Sequence, residues 1–283
     1  MTGLIDTHVH VWDPTALRYP WLDGSADLNK PFLPAAVDRA NGSTTGMVFV
    51  QCDPIAEHTL DEVRWVAGFG DAWPELRGIV AGANLRSESL VEQLDAVKSA
   101  GPVVGIRHNL QGEAIDALAD PALVAGLQTV ADAGLTFDVC ILHPQLAAAV
   151  ALLRQVPTLR FVLDHVGKPP IAEPITSPPG ADWARHIAEL AALPGAHVKL
   201  SGLAAEARDQ TSLDAHAGGY LSHALGAFGP DRAMLGSDWP VSALVGAGGT
   251  FASWVDRVLA LVDNPAEHRA VREGTATRFY GLG

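Results

Sequence analysis

The run Leu4-Ile5-Asp6-Thr7-His8-Val9-His10-Val11 stands near the beginning of the chain and is the first of its strand-like runs. A short apolar run that is rich in β-branched residues predicts a buried β-strand. Alternate side chains of a strand point to the same face, so His8 and His10 project together while Val9 points the other way. Two imidazoles aimed at one point are suited to chelating a divalent metal ion. The chain therefore opens on a strand that carries a candidate metal site.

Seven further strand-like runs follow, and helical stretches separate them. The runs cover residues 46–51, 78–85, 103–109, 136–142, 160–165, 197–203 and 233–238. Most are continuously apolar, as is typical of parallel strands that are covered on both faces. The helical stretches carry start and stop signals, such as Asp120-Pro121 before an apolar stripe and Gly134 after it.

Eight strand–helix units without a long linker predict an α/β fold, a (β/α)8 TIM barrel that occupies residues 1–283 as a single domain. A doubly wound open sheet is the alternative, but no G-x-G-x-x-G follows the first strand. Two segments interrupt the repeat, residues 12–34 and residues 169–180. Both follow the carboxyl ends of strands, where barrel enzymes build their active sites, so we expect them to wall a pocket.

Composition excludes several classes of partner. The chain has 283 residues and a formal net charge of −13, which argues against a nucleic-acid-binding surface. No apolar run approaches the roughly 20 residues that span a bilayer, so no membrane partner is expected. Cys52 and Cys140 form no disulfide pattern, and no secretory signal precedes the first strand, so the expected location is cytoplasmic. The sequence is compatible with a homo-oligomer.

Polar side chains gather where the predicted strands end, and in a barrel these ends meet at one mouth. Burying such groups without partners would be costly, and a pocket that holds a metal ion or a polar ligand removes that cost. The residues at these ends include His8, His10, Arg107, His108, Asn109, Asp164, His165 and Asp238.

Several of these runs closely resemble the amidohydrolase superfamily, in its amidohydrolase-2 branch. The matching stretches are Asp6-Thr7-His8-Val9-His10-Val11-Trp12-Asp13-Pro14, Tyr19-Pro20-Trp21-Leu22, Gly105-Ile106-Arg107-His108, Phe161-Val162-Leu163-Asp164-His165-Val166-Gly167-Lys168-Pro169, Lys199-Leu200-Ser201-Gly202-Leu203 and Gly236-Ser237-Asp238-Trp239-Pro240. Within this branch the chain is most similar to sugar lactonases and pyrone-dicarboxylate lactonases. The resemblance runs from about Leu4 to the segment 275–280.

This resemblance implies one divalent metal ion, Zn with Mn as the alternative, held by His8, His10, His165 and Asp238. The predicted fourth strand has no lysine to bridge a second metal, and an arginine such as Arg107 cannot replace it because a guanidinium does not ligate cations. The implied reaction is the opening of a small-molecule lactone by water, with Asp238 as general base.

Other residues receive supporting roles in this interpretation. His165 is either the fourth ligand or a donor to the developing oxyanion, and His108 donates to the lactone carbonyl. Arg107 anchors a substrate carboxylate or polyol oxygen, because its planar guanidinium group can donate two parallel hydrogen bonds. Trp12 and Lys168 complete the expected substrate-binding set.

Two other functions compete with lactone opening. The first alternative is a metal-dependent decarboxylase of small aromatic or unsaturated acids, because such decarboxylases resemble the same branch of the superfamily. A non-catalytic ligand-binding barrel is the alternative from a different class of protein. Release of carbon dioxide rather than acid would identify a decarboxylase. A protein that holds no metal and hydrolyses no lactone would be the ligand-binding barrel.

Overall fold

Eight parallel strands follow one another around a barrel in chain order. The computed structural model describes residues 3–283. The strands are β1 (Leu4–Val9), β2 (Thr44–Val50), β3 (Leu76–Gly82), β4 (Val103–Arg107), β5 (Thr136–Val139), β6 (Phe161–Leu163), β7 (Ala196–Leu200) and β8 (Ala233–Leu235). Two backbone hydrogen bonds join the end of β8 to β1, from Asp238 N to His8 O at 2.7 Å and from His10 N to Trp239 O at 2.8 Å. The predicted (β/α)8 barrel is thereby confirmed.

Helices connect the strands on the outside of the barrel. Within residues 3–283 they are α1 (Thr59–Ala67), α2 (Leu90–Ala100), α3 (Pro121–Asp132), α4 (Leu146–Leu153), α5 (Pro178–Ala191), α6 (Leu203–Glu206), α7 (Gln210–Phe228), α8 (Val241–Leu244), α9 (Phe251–Leu259), α10 (Pro265–Arg269) and α11 (Thr275–Tyr280). Asp120 caps α3 as expected, its side chain accepting a hydrogen bond from Ala122 N.

Two helix boundaries differ from the sequence-based expectation. The apolar pattern predicts a helix over residues 220–228, whereas α7 begins ten residues earlier, at Gln210. The sequence does not indicate the first part of α7, because Gly218 and Gly219 are unfavourable in a helix interior. In the folded protein, tertiary packing overrides that preference. The single helix expected over residues 265–273 is instead α10, a π-helical turn over Ala270–Gly274, and then α11.

The hydrophobic core has two parts, one on each face of the sheet. Met47 and Phe49 pack in the outer cluster with helix residues, whereas Val48 and Val50 of the same strand belong to an inner cluster. Phe279 and Tyr280 of α11 join the inner cluster, and the Phe279 ring lies 4.5 Å from the ring of His197 near the start of β7. The C-terminal helix thus closes the end of the barrel where the strands begin.

Several strands end earlier than their apolar runs predict. The chain turns sharply after β6 and β8, with His165 at φ 53° and Asp238 at φ 56°. Left-handed backbone at residues other than glycine is costly and recurs at functional sites. These turns bring the polar residues of the runs onto the mouth of the barrel. Among residues 3–283, no helix combines the length and apolar character that crossing a bilayer requires.

Candidate metal centre and substrate cleft

Three imidazoles and one carboxylate meet at the mouth of the barrel. The Nε2 atoms of His10, His165 and His8 lie 3.6, 3.7 and 3.9 Å from one oxygen of Asp238, Oδ1. The Nε2 atoms of His8 and His10 are 3.1 Å apart. All four side chains are buried. The structure therefore brings together every residue that the sequence analysis selected as a metal ligand.

The other ring nitrogen of each imidazole, Nδ1, has its own partner. His10 Nδ1 lies 2.8 Å from the carbonyl oxygen of Val50, and His165 Nδ1 lies 3.0 Å from Ser201 Oγ. His8 Nδ1 is 3.2 Å from Asp164 Oδ1. A partner that accepts the Nδ1 proton leaves the Nε2 lone pair free to bind a metal, and partners of this kind orient histidine ligands in metalloproteins.

Burial controls the charges of these groups. It lowers the pKa of all three imidazoles, that of His165 to about 4, so the rings are neutral near pH 7. Burial acts in the opposite direction on Asp238, but the three neighbouring histidines outweigh it and hold the pKa of Asp238 below its ordinary value. Asp238 Oδ2 also accepts a hydrogen bond from Ser242 Oγ at 2.7 Å. The site thus presents three neutral nitrogen donors and one ionised carboxylate.

Tight backbone contacts fix the positions of these ligands. Gly202 packs so closely on His165 that a Cβ atom at Gly202 would lie 2.3 Å from His165 Nδ1. The carboxylate of Asp6 accepts hydrogen bonds from Ser237 N at 2.8 Å and from His8 N at 3.1 Å. Asp6 therefore connects β1 to the loop that carries Asp238.

The donor set fits a divalent metal ion. Ligand atoms of His8, His165 and Asp238 lie within 4.8 Å of one another, close enough to share one ion. A second group, His8 with Asp138 and Asp164, meets the same distance criterion. There the Lys199 ammonium contacts Asp138 Oδ2 and lies 3.1 Å from Asp164 Oδ1, so a protein cation already balances these carboxylates. Only the first group has the free donor atoms that a metal ion needs.

Arg107 lies beside the convergent histidines and is already paired. Its Nη1 is 3.5 Å from both Asp164 Oδ2 and His8 Nε2, and its Nη2 donates to the carbonyl oxygen of Gln51. Its Nε has no hydrogen-bond partner among the described residues. Arg107 borders the cleft, but the charge that we expected to hold a substrate carboxylate is balanced by Asp164.

The cleft next to the ligands has a volume of about 220 Å³. Trp12 and Lys168 line it, as the sequence analysis expected. Lys168 Nζ donates to Gln111 Oε1 at 2.6 Å and lies 3.2 Å from Glu206 Oε1, so its charge is also balanced within the protein. A second cavity of similar volume lies behind Trp239, and the convergent histidines do not line it.

His108 does not reach this cleft. Its Nδ1 accepts a hydrogen bond from Leu85 N at 3.2 Å, and its Nε2 lies 2.9 Å from Glu113 Oε1. His108 lines a shallower neighbouring depression instead. Adjacent residues at the end of a strand point in opposite directions, so Arg107 and His108 cannot both face the cleft. The structure therefore does not support the expected contact between His108 and the lactone carbonyl.

Several cleft residues are absent from the predicted site. Trp21 is 40% exposed, and its Nε1 donates to the carbonyl oxygen of Cys52 at 2.7 Å. The others are Cys52, Asp53, Asn109, Gln111, Cys140, Ala205, Glu206 and Val241. Trp21 lies in the segment 12–34 that was expected to wall a pocket, and Asn109 is one of the strand-end residues expected at the mouth. The others come from loops after different strands, and no spacing in the sequence indicates that they share a surface. Segment 169–180, expected to wall the pocket, lies elsewhere: the carbonyl oxygens of Pro170 and Ile171 accept hydrogen bonds from Tyr220 and His216 of α7.

A family model described as amidohydrolase matches residues 5–282. The chain belongs to the amidohydrolase family. Among curated relatives of this amidohydrolase, an L-fucono-1,5-lactonase of Burkholderia multivorans is 34% identical over 98% of this chain and 96% of that protein. An L-fucono-1,5-lactonase of Burkholderia ambifaria is 31% identical over 100% of this chain and 97% of that protein.

A solved structure agrees with the assignment. The crystal structure of an amidohydrolase from Burkholderia multivorans with bound zinc has a TM-score of 0.87 and 31% identity, and the match covers 99% of this chain and 100% of that one. A divalent metal ion is therefore supported both by the donor set of this amidohydrolase and by its family.

Proposed function

We propose that this amidohydrolase is a lactonase that opens a cyclic ester with water, using one divalent metal ion. The observation that carries the proposal is the convergence of three imidazole nitrogens on Asp238 Oδ1, at 3.6–3.9 Å, beside an open cleft. The two L-fucono-1,5-lactonases that align over nearly the whole chain support the same reaction.

We assign His8, His10, His165 and Asp238 as the residues that hold the metal, and Zn as the metal. Three imidazoles and one carboxylate suit Zn, and the zinc-bound structural relative supports this choice over Mn. The ion, when bound, supplies Lewis acidity that polarises the lactone carbonyl and acidifies water.

Asp238 is the general base in this proposal. It takes a proton from the attacking water as the hydroxyl oxygen bonds to the carbonyl carbon, and it returns that proton to the ring oxygen when the ester bond breaks. Its pKa lies below the ordinary value, so the carboxylate is ionised at neutral pH, as a general base must be. Ser242, which donates to Oδ2, holds the carboxylate so that Oδ1 faces the reacting atoms.

The charges of the cleft favour an uncharged, polyhydroxylated lactone over a carboxylated one. Arg107 is balanced by Asp164 and Lys168 by Glu206, and Asp53 adds a further acid at the cleft. Asn109 and Gln111 offer amides, which suit hydroxyl groups. We therefore assign sugar lactones as the substrate class, with Arg107 donating to a polyol oxygen and Trp12 and Trp21 lining the cleft.

The proposal is tested by following acid release from a panel of lactones, with and without a chelator. We expect acid release from uncharged sugar lactones, loss of activity after chelation, and recovery when Zn²⁺ is added. Asp238→Asn should abolish turnover without unfolding the protein, because the replacement is nearly isosteric. Asp116→Asn, at an exposed position, is the matched control. Carbon dioxide release from aromatic acids, or full activity of Asp238→Asn, would contradict the proposal.

A further inference from the structure

A side depression adjoins the cleft at the mouth of the barrel, and its lining includes Gln51, Asn84 and His108. It lies where three neighbouring strands, β2, β3 and β4, end. Its volume is about 210 Å³, against about 220 Å³ for the cleft. The residues that line both spaces are Asp53, Arg107 and Asn109. The two spaces therefore share one border, and the reaction proposed above, on a single lactone ring, uses only the cleft.

Gln51, which directly follows β2, brings an unused hydrogen-bond donor to the side depression. Its side chain is buried, with only 2% exposed. Its Oε1 accepts a hydrogen bond from Asp53 N, and because a backbone N–H can only donate, this contact fixes which end of the amide is the oxygen. Its Nε2 has no hydrogen-bond partner among residues 3–283, although the side chain lines the depression. A buried amide with an unused donor at the wall of an open space indicates a ligand that accepts hydrogen bonds.

Asn84, in the loop after β3, repeats this arrangement. Its Oδ1 accepts from Arg86 N at 3.1 Å, and its Nδ2 has no partner within the described part of the chain. Gly82 keeps the space between these amides open. A Cβ atom at Gly82 would lie 3.0 Å from Thr59 Cγ2 and 3.9 Å from Gln51 Cδ, so a side chain there would fill this part of the depression.

The border between the two spaces offers an acceptor. Asn109 Nδ2 donates to Asp53 Oδ2 at 3.3 Å, and Asp53 Oδ1 accepts from no group of residues 3–283. Asp53 has left-handed backbone, with φ 57°, a conformation that recurs at functional sites when the residue is not glycine. Hydroxyl groups both donate and accept, so a hydroxylated ligand can satisfy the two amide donors and this carboxylate together.

The lining argues against an anionic ligand in the side depression. The described residues leave it no unbalanced positive charge, because the Arg107 guanidinium is paired with Asp164. Both ring nitrogens of His108 are also engaged, with Leu85 N and Glu113 Oε1. The side depression is about as large as the cleft, so it has room for a second group of roughly the size of the lactone ring. An uncharged, hydroxylated ring meets all of these conditions.

We propose that the side depression binds a glycosyl group attached to the lactone, so that the preferred substrate is the lactone of a disaccharide acid. Gln51 Nε2 and Asn84 Nδ2 donate to oxygens of the glycosyl group, and Asp53 Oδ1 accepts from a hydroxyl near the linkage. The inference rests on the proposed function, because it takes the lactone ring to react in the cleft. Gln51 and Asn84 determine specificity in this view and do not touch the reacting ring.

The first test compares substrates with the same ring. It measures kcat/KM for glucono-1,5-lactone and for cellobiono-, maltobiono- and melibiono-lactone, after subtraction of the rate without enzyme. We expect at least one glycosylated lactone to exceed glucono-1,5-lactone by about 10-fold, the effect of two added hydrogen bonds between uncharged groups. If glucono-1,5-lactone is opened at least as efficiently as all three, the proposal is overturned and the proposed function stands.

The second test fills the side depression with a bulky side chain. Ala56→Trp does so, and Ala72→Trp is the matched control. Both alanines are exposed and lie in short 3₁₀-helical turns, but only Ala56 lines the depression. Ala56→Trp should reduce the preference for the glycosylated lactone to about 1-fold, whereas Ala72→Trp should keep the wild-type preference. The same preference in both variants would contradict the proposal.

A third test addresses the donor of Gln51. Gln51→Met keeps the length of the side chain and removes the amide. It should lower kcat/KM for the glycosylated lactone by about 3- to 10-fold relative to glucono-1,5-lactone, which does not reach Gln51. An equal effect on both substrates would remove Gln51 from the subsite.

Binding separates this inference from the proposed function. Calorimetric titration of the Zn²⁺-loaded protein compares gluconate with cellobionate, maltobionate and melibionate, the open acids, and needs no turnover. We expect at least one disaccharide acid to bind about 10-fold more tightly than gluconate, and Ala56→Trp to abolish the difference. A protein that opens no lactone but shows this difference would contradict the proposed function alone. If no disaccharide acid binds more tightly than gluconate, the subsite does not exist.

Discussion

Replacing Gly202 with alanine should disable the site through a single methyl group. Gly202 has φ +76°, and a Cβ atom there would lie 2.3 Å from Nδ1, 2.4 Å from Cγ and 2.7 Å from Cβ of His165. The imidazole would have to move by about 1 Å to restore an ordinary contact, and a displacement of that size at a catalytic site costs on the order of 100-fold in rate. We expect kcat/KM of Gly202→Ala to fall by about that factor.

Gly134→Ala separates this displacement from backbone strain. Gly134 has φ +73°, and a Cβ atom there would meet nothing within 4 Å. Both variants bear the cost of left-handed backbone at alanine, about 1–2 kcal/mol of unfolding free energy. Only Gly202→Ala pushes against His165, a proposed metal ligand, so only it should lose activity and Zn²⁺ affinity.

The assay measures kcat/KM on one sugar lactone, the Zn²⁺ dissociation constant and the free energy of unfolding in urea for both variants. Gly134→Ala should keep wild-type activity despite its lower stability. The reasoning is refuted if Gly202→Ala folds and keeps kcat/KM within a few-fold of Gly134→Ala.

Three further predictions concern pH, metal and substrate. Burial raises the pKa of Glu62 from 4.5 to about 8, so the folded state holds a proton that the unfolded state releases. The contribution of Glu62 to the free energy of unfolding should therefore fall from pH 5 to pH 8.5, on the order of a few kcal/mol. Glu62→Gln should make the pH slope shallower in urea titrations, and Asp6, whose pKa burial raises to about 7, contributes to the slope that remains. Zn²⁺ at 100 times its dissociation constant should raise the unfolding free energy by about 2.7 kcal/mol, and His10→Gln should abolish the gain, as thermal melts would show. Trp21→Ala should raise KM for sugar lactones about 10-fold with little change in kcat, through lost stacking in the cleft; an unchanged KM would remove Trp21 from the binding surface.

The barrel and the convergence of the four proposed metal ligands could be predicted because their signals are local. His8 and His10 share one strand face by simple alternation, and His165 and Asp238 each follow a short apolar run. Parallel strands in a barrel end at one mouth, so residues at strand ends converge whatever the details of the loops. His8, His165 and Asp238 do meet within the distances that one ion can bridge, and His10 Nε2 lies 3.6 Å from Asp238 Oδ1.

Other features of the site could not be predicted, since they depend on contacts between distant segments. His108 follows Arg107 directly, so strand alternation already indicates that only one of the two faces the cleft. The structure decided that His108 is the one that turns away, toward Leu85 and Glu113. Segment 169–180 follows a strand end, as pocket loops do, but packs on α7 instead.

The sequence alone determined the class of fold, because periodicity acts over a few neighbouring positions, and its resemblance to the amidohydrolases selected the four residues that we propose hold the metal. Only the tertiary structure decided the charge balance of the cleft, where Asp164 pairs with Arg107 across 57 positions and Glu206 pairs with Lys168. It also decided the contact between the Tyr280 hydroxyl and Asp138, which are 142 positions apart. Such pairings depend on packing between elements that are far apart in the chain. A local sequence pattern therefore does not predict which distant groups will be buried together.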